Sequence, residues 1–513
     1  MELIFATVAF VFFLLYFYLS RQYNYFQKNE IPSANGIVLG LGHMLPVFSE
    51  KKSLATLCED FYNEAKEYSM YGFYELCSPV LLVREPELVK NVLLTNFSSF
   101  SENPFKLNYQ DKNELFSLNP FFVDGDKWKE ARAPHTHSFS SMKLKQITFQ
   151  VAKIADKMNK YLSKQCKNGE FETNLKKLCK KFTGEVSSTA IGIETHNFEE
   201  LQPQNSEMTY NERLDKVFES PSFSTVFQQT IRLYLPSLAK LFQLSVTPIE
   251  VDQYFRQIAK TIIDNRKMEN FIYNDFAQFV INFQKSHDTK INEETIIAAH
   301  MLSFAVDTYE TTSLTMSFLI INLAKQPEIQ EKVRNEIVTL LKKYNGKLTY
   351  DALKEMTYFE KVLNESQRMH HITGYFFKIC TKKTKLIGTD GLSCVIKPGQ
   401  KVGISLSGLQ MDSKYWREPE KFNPERFNED EKNSRHKFTF LPFGEGPRVC
   451  VGMRLAVILI KISVAAILKD FSIEISSKMI FPIERDESSF LNSPKGGFWV
   501  NIRSLKTSAS SND

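Results

Sequence analysis

The sequence predicts a mainly α-helical fold with small β-sheets (α+β), organised as a single large domain behind an N-terminal membrane anchor. Three observations carry this expectation. No Gly or Pro interrupts the stretch from Glu293 to Lys325, and Gln326-Pro327 then ends it. About 33 residues at about 1.5 Å each make a helix of about 50 Å, long enough to cross a whole domain. Strand signals, by contrast, are few and clustered, at Val80–Val83 and around Leu386–Leu406, where Asp390-Gly391 and Pro398-Gly399 mark tight turns. The third observation is the uncharged run LIFATVAFVFFLLYFYL from Leu3 to Leu19, about the 17 residues that a spanning helix needs at minimum.

Taken in order, the anchor comes first. Glu2 precedes the apolar run and Arg21 follows it, without the basic start and small-residue cleavage site of a secretory signal, so an uncleaved anchor is expected over residues 1–20. Arg21 and Lys28, with Tyr16, Tyr18 and Tyr23 near the interface, set the body on the cytoplasmic side. Ile31-Pro32 and Asn35-Gly36 make residues 21–38 a turn-rich linker. From Lys51 to about Met268 apolar residues three and four apart, as in Leu88–Leu94 and Met142–Lys164, predict helices. The lysine groups at Lys176–Lys181 and Lys382–Lys385 read as solvated faces, and the tail at 507–513 as disordered.

With 43% hydrophobic and 24% charged residues the chain can bury a large core, which excludes a disordered or low-complexity protein. The 64 basic and 59 acidic side chains leave a net charge of +5, and no nucleic-acid partner is implied. Seven cysteines without a CxxC pair speak against both a disulfide scaffold and a zinc finger, in keeping with a reducing compartment. His370-His371 offers no metal pair on one helix face, and His135 and His137 have no partner in sight.

Chemistry concentrates in FLPFGEGPRVCVGMRLAVILIKI, Phe440 to Ile462. A Gly/Pro-rich loop leads to Cys450 and an apolar helix begins just after it, so the sulfur sits at a helix N-terminus where free N–H groups favour thiolate. Gly446 and Gly452 would let a flat ligand approach the backbone, and Arg448 offers a cation to an anionic one. Phe443, Gly446, Arg448, Cys450 and Gly452 together match F-x-x-G-x-R-x-C-x-G, and this stretch resembles the haem-binding loop of the cytochrome P-450 monooxygenases. Trp128-x-x-x-Arg132, Glu365-x-x-Arg368 and Pro424-Glu425-Arg426-Phe427 stand in the family's order, so the resemblance covers about Pro32 to Val500. The phenylalanine-rich style, with 43 Phe, and the anchor look like those of insect microsomal members.

The resemblance implies the cytochrome P-450 fold over residues 39–506 and a haem b (iron protoporphyrin IX) cofactor with Cys450 as its thiolate axial ligand. Trp128, Arg132 and Arg448 would hold the haem propionates, with Lys378 at the place of a further family arginine. Glu365, Arg368 and Arg426 would form a buried, structural ion network. In the long helix the family's A-G-x-[DE]-T-[ST] is replaced by Asp307-Thr308-Tyr309-Glu310-Thr311-Thr312. Glu310 and Thr311 would be the catalytic proton relay, while Thr308 and Asp307 occupy the usual glycine and alanine positions and bear on dioxygen space and coupling. The usual Pro-Pro after the following helix is replaced by His370-His371-Ile372-Thr373-Gly374.

Substrate would meet Ser101–Phe122, Pro221–Leu235, Phe304, Ile372–Phe376 and Phe490–Ser493, an apolar pocket for hydrophobic small molecules. The expected partners are an NADPH-cytochrome P-450 reductase, docking near Lys127, Lys129 and Arg454, with cytochrome b5 as a second donor. The expected location is the endoplasmic reticulum membrane, with the catalytic domain facing the cytoplasm. Two alternatives to oxygen insertion stay open on the sequence: a non-oxygenating haem-thiolate isomerase or dehydratase, and a haem-loaded ligand-binding protein. NADPH consumption with reductase, with and without candidate substrates, separates oxygen insertion from both.

Overall fold

The computed structural model describes residues 10, 13–14, 16–107, 114–199, 208–218, 242, 244–268, 273–285 and 292–505. The expected anchor run, the segment Pro221–Leu235 and the tail fall wholly or mostly outside these residues. No helix among the described residues is long and apolar enough to cross a membrane. Within residues 21–38, expected as a linker, Phe26, Ile31 and Ala34 are buried. Phe26 is 1% exposed and its ring fills the space over Gly72, where a Cβ would stand 2.4 Å from Phe26 Cγ.

The first sheet is built from β1 (Met70–Glu75), β2 (Ser78–Val83), β4 (Tyr375–Ile379) and β7 (Lys401–Ser405) in the order β1-β2-β7-β4. β1 and β2 form an antiparallel hairpin, β2 runs parallel to β7, and β7 pairs antiparallel with β4. All six residues of β1 are buried, so it shows no polar alternation, and neither it nor β4 was expected. The second sheet is β3 (Glu170–Asn174), β9 (Trp499–Ser504) and β8 (Phe471–Ile475), and the third is the hairpin β5 (Thr384–Ile387) with β6 (Ser393–Ile396).

The helices that frame the site are α1 (Gly125–Ser138), α2 (Ser141–Gln165), α3 (Leu175–Ala190), α4 (Glu293–Lys325), α5 (Thr357–Met369) and α6 (Met453–Leu468). α4 has the expected bounds, with Asn292 Oδ1 accepting from Glu294 N as the cap at its start and Pro327 just beyond its end. Its residues 296–324 are all buried except Asp307 and Thr311, so it is enclosed by other elements almost all round. Hydrophobic burial at about 1.5–3 kcal/mol per large side chain outweighs the weak helix propensity of its Thr and Ser residues. These turn inward onto the helix itself, as Thr315 Oγ1 and Ser317 Oγ do to the carbonyls four residues back, at 2.8 and 2.7 Å.

The expected ion network is present. Arg368 donates to both oxygens of Glu365, at 2.7 and 2.9 Å, with both side chains fully buried, and Arg426 Nε reaches Glu365 at 3.3 Å. It ties the end of α5 to the loop before the PERF turn.

Candidate functional site

The cysteine loop closes on its own backbone. Cys450 N donates to Phe443 O at 2.9 Å and Val449 N to Gly446 O at 3.0 Å. Gly446 has φ of +79°, and a Cβ there would lie 2.1 Å from Leu93 O, so glycine is required for the loop to lie against the turn at Asn91–Thr95. That is a packing reason, not clearance for a flat ligand. At Gly452 a Cβ would meet only Cys450 Sγ, at 3.9 Å, so here the space beside the sulfur is open. The amides at the helix start favour thiolate as expected, but burial outweighs them. Burial raises the Cys450 thiol pKa, the Gly452 and Met453 amides and Arg132 draw it down, and Asp307 pushes it up. Desolvation wins, so thiolate needs a positive partner such as a metal ion at the sulfur.

Cations gather to one side. Trp128 is buried on α1, with the Arg448 guanidinium 4.7 Å and that of Arg132 5.6 Å from its ring centre. Arg132 Nη2 donates to Val449 O at 2.7 Å. Arg448 donates to Asp124 Oδ1 at 2.7 Å and Val123 O at 2.9 Å, while its buried Nε has no hydrogen-bond partner among the described residues. Lys378, on β4, is buried and donates to Asn103 Oδ1 at 2.8 Å. Burial, and then the charge of Arg448, pull its pKa down to about 7 against Asp124. Three cations, Arg448, Lys378 and Lys106, thus share two nearby acids, Asp124 and Glu102, while Arg132 adds its charge beside Arg448 and Cys450. This half-buried excess suits an anionic ligand.

Across the sulfur stands α4. Asp307 and Thr311, one helical turn apart, present surface although they lie midway along a buried helix, so both face an internal void. The Asp307 charge bears on Cys450. Thr311 Oγ1 donates to Asp307 O at 2.5 Å. Glu310 points elsewhere: Lys176 Nζ and Lys180 Nζ, on α3, each stand 2.8 Å from one of its oxygens. The lysine group 176–181 was expected as a solvated face. Lys176 and Lys180, four apart on a helix, instead share the side of α3 that meets α4. Lys180 keeps a raised pKa despite the burial that opposes it, because Glu310 and Asp215 hold its charge.

Sequence reasoning did not single out Asn119, whose Nδ2 donates to the Asp307 carboxylate oxygens at 3.3 and 3.4 Å. It also left His135 without a partner, whereas His135 Nε2 lies 3.2 Å from His300 Nδ1 in the core. Burial holds both imidazoles below their usual pKa, His300 at about 4. No group of three metal-ligating side chains occurs among the described residues. A separate cavity of about 410 Å³, bordered by Phe139, Ile147, Val186, Phe276 and Phe304, is lined by neither Cys450, Asp307 nor Thr311.

Sulfur ligation of a flat, anionic cofactor is the class of chemistry that this arrangement suits. Residues 40–500 match the Cytochrome P450 family. Nearly the whole chain is similar to insect members: 30% identical to cytochrome P450 6B2 of Helicoverpa armigera, over 97% of each chain. It is 31% identical to cytochrome P450 6B4 of Papilio glaucus, over 97% of this chain and 98% of that one. To the probable cytochrome P450 6a13 of Drosophila melanogaster it is 30% identical over 85% of each. The chain belongs to the cytochrome P450 family and is a haem-thiolate monooxygenase, an oxidoreductase that works with a redox partner on hydrophobic substrates. The residues present fit haem. Cys450 is exposed, and the Arg448 Nε without a partner among the described residues and the surplus of cations beside it suit carboxylates.

Proposed function

We propose that Cys450 is the axial thiolate, and that Trp128, Arg132, Arg448 and Lys378 hold the haem propionates. Phe443, Gly446 and Gly452 shape the loop around the sulfur. Haem, when bound, supplies dioxygen activation and transfer of one oxygen atom to substrate. The chain's own part is binding, positioning and proton supply. A planar guanidinium suits a carboxylate through two donors, and a propionate would also return Lys378 to its charged form by opposing the burial that lowers its pKa. Thr311 can turn its hydroxyl from the Asp307 carbonyl to the void, and Glu310 behind it exchanges protons with Lys176, which is 26% exposed, and Lys180.

The reading extends to the cell. Residues 1–20 anchor the protein in the endoplasmic reticulum membrane, 21–38 connect, 39–506 form the cytoplasm-facing haem domain, and 507–513 are a tail. An NADPH-cytochrome P-450 reductase, with cytochrome b5 as a second donor, docks near Lys127, Lys129 and Arg454. In support, Lys127 and Lys129 are exposed, in surface pairs with Glu130 and Asp126 at 3.2 and 3.0 Å. Such pairs are worth little and exchange readily for a partner's acids.

The observation that carries the proposal is that Cys450 and the only two void-facing side chains within 296–324 of α4 look onto one space. The test is the reduced carbon monoxide complex, which should absorb at the wavelength that gives the family its name in wild type and lose that band in Cys450→Ala. A band that survives Cys450→Ala refutes the ligand assignment. Thr311→Ala should raise hydrogen peroxide released per NADPH consumed, and unchanged coupling removes Thr311 from the relay.

A further inference from the structure

Two acids sit on α4 three residues apart and are treated oppositely. Glu310 has two lysines at 2.8 Å. Asp307, facing the void, has no basic side chain bearing on it among the described residues. Its hydrogen bonds are from Asn119, at 3.3 and 3.4 Å. Asn119 is itself locked in orientation, because its Oδ1 accepts from Phe121 N at 2.8 Å, which turns the amide donors toward the carboxylate. Donors aimed at both oxygens favour the ionised form over the neutral acid. An ion placed in an interior void without a counter-charge is costly, and proteins normally supply a partner.

The segment that carries Asn119 is rich in aromatic rings. Asn119 lies within a run of rings: Phe116 and Phe122 are 5.7 Å apart, Phe121 and Phe122 5.1 Å, and Phe105 sits 6.1 Å from Phe121 and 6.2 Å from Phe490. Aromatic faces take both an apolar body and a cation. We infer that the pocket over Cys450 selects hydrophobic substrates carrying a cationic nitrogen, with the Asp307 carboxylate as their anchor and Asn119 as its positioning residue. The inference rests on the haem-thiolate reading above and adds the substrate's charge. An incoming cation supplies the counter-charge that the Asp307 carboxylate lacks among the described residues. A neutral substrate would leave it without one.

The test uses full-length, haem-loaded protein and a pair of probes of one shape. (4-Phenylbutyl)trimethylammonium carries a permanent charge and no lone pair to ligate iron; its tert-butyl carbon isostere is neutral. Binding is read by the haem absorption shift and, independently of haem, by equilibrium dialysis. The cation should bind at least about tenfold more tightly than the isostere, about 1.4 kcal/mol. Asp307→Asn should abolish that preference while leaving the isostere within about twofold, and Asp307→Glu should keep most of it. Equal binding of the two probes by the wild type, a comparison that needs no variant, overturns the inference, as does a preference that survives Asp307→Asn. The carbon monoxide band reports separately on the reading beneath: with the band present, equal binding refutes the charge selection alone, whereas a missing band refutes the haem-thiolate assignment and the inference with it.

Discussion

Replacing Glu365 by Gln tests how much of the fold depends on one buried carboxylate. One of its oxygens accepts from Arg368 Nε at 2.7 Å. The other accepts from Arg368 Nη2 at 2.9 Å, Asn423 N at 2.9 Å and Arg426 Nε at 3.3 Å. Glutamine keeps the volume but has one accepting oxygen and turns an NH₂ against donors. Arg368 cannot withdraw to water, because it is fully buried and its remaining donors are committed to Gln410 O and Pro419 O, at 2.9 and 2.6 Å. Breaking a buried pair in this way costs about 3–5 kcal/mol, against a total stability of about 5–15 kcal/mol. Arg426→Met should cost less than half as much, since Arg426 gives Glu365 a single bond at 3.3 Å and is 10% exposed. The assay is the carbon monoxide band followed through a thermal ramp at one fixed rate, because a large haem protein does not unfold in two states. At about 2 °C per kcal/mol for a large chain, Glu365→Gln should lower the apparent midpoint by about 6 °C or more. A midpoint within about one degree of wild type, or a larger loss in Arg426→Met, would refute the reasoning.

Gly446→Ala should cost at least about 1 kcal/mol from its left-handed φ and more from the Leu93 O contact, lowering haem occupancy of purified protein; full occupancy would show that the loop can shift. Phe26→Ala should destabilise by about 3–5 kcal/mol as a core truncation, measured by thermal midpoint, although it lies in a stretch that reads as a linker. Acid should weaken the protein before carboxylates titrate. His300 and His371 keep pKa values of about 4 and His370 about 3, all lowered chiefly by burial from 6.5. The unfolded chain therefore binds protons that the native chain refuses. The stability is fully present above about pH 6.5 and is lost as pH falls toward about 4, at up to about 1.4 kcal/mol per unit for each histidine. The midpoint should drop between about pH 7 and pH 5, less so in His300→Gln, and an unchanged midpoint would count against buried neutral histidines.

Much of the fold was legible because it follows from local chemistry. The end of α4 could be read from Gln326-Pro327, and the Glu365–Arg368–Arg426 network was implied by the family resemblance of its motifs. β1 was not legible, because a strand buried on both faces has no polar alternation to read. The partner of His135 lies 165 residues away, a pairing that no local pattern announces. Which acid stands beside Thr311 is a matter of helix geometry. Neighbours in sequence, Glu310 and Thr311 are about 100° apart around a helix, whereas Asp307 and Thr311 are about 40° apart. An acid beside a threonine in the sequence is therefore not the acid beside it in space. The lysines that claim Glu310 belong to α3, and no spacing along the chain reveals them.

The Phe26 ring lodged over Gly72 has a mechanical meaning. From Leu19 to Phe26 is seven residue steps, a leash of about 25 Å even when fully drawn out. Whatever holds the chain upstream of Leu19 is thus moored close to the outer edge of the first sheet, and the body cannot swivel freely about its tether. On a surface, such a short mooring would keep the same flank of the molecule turned toward it in every copy.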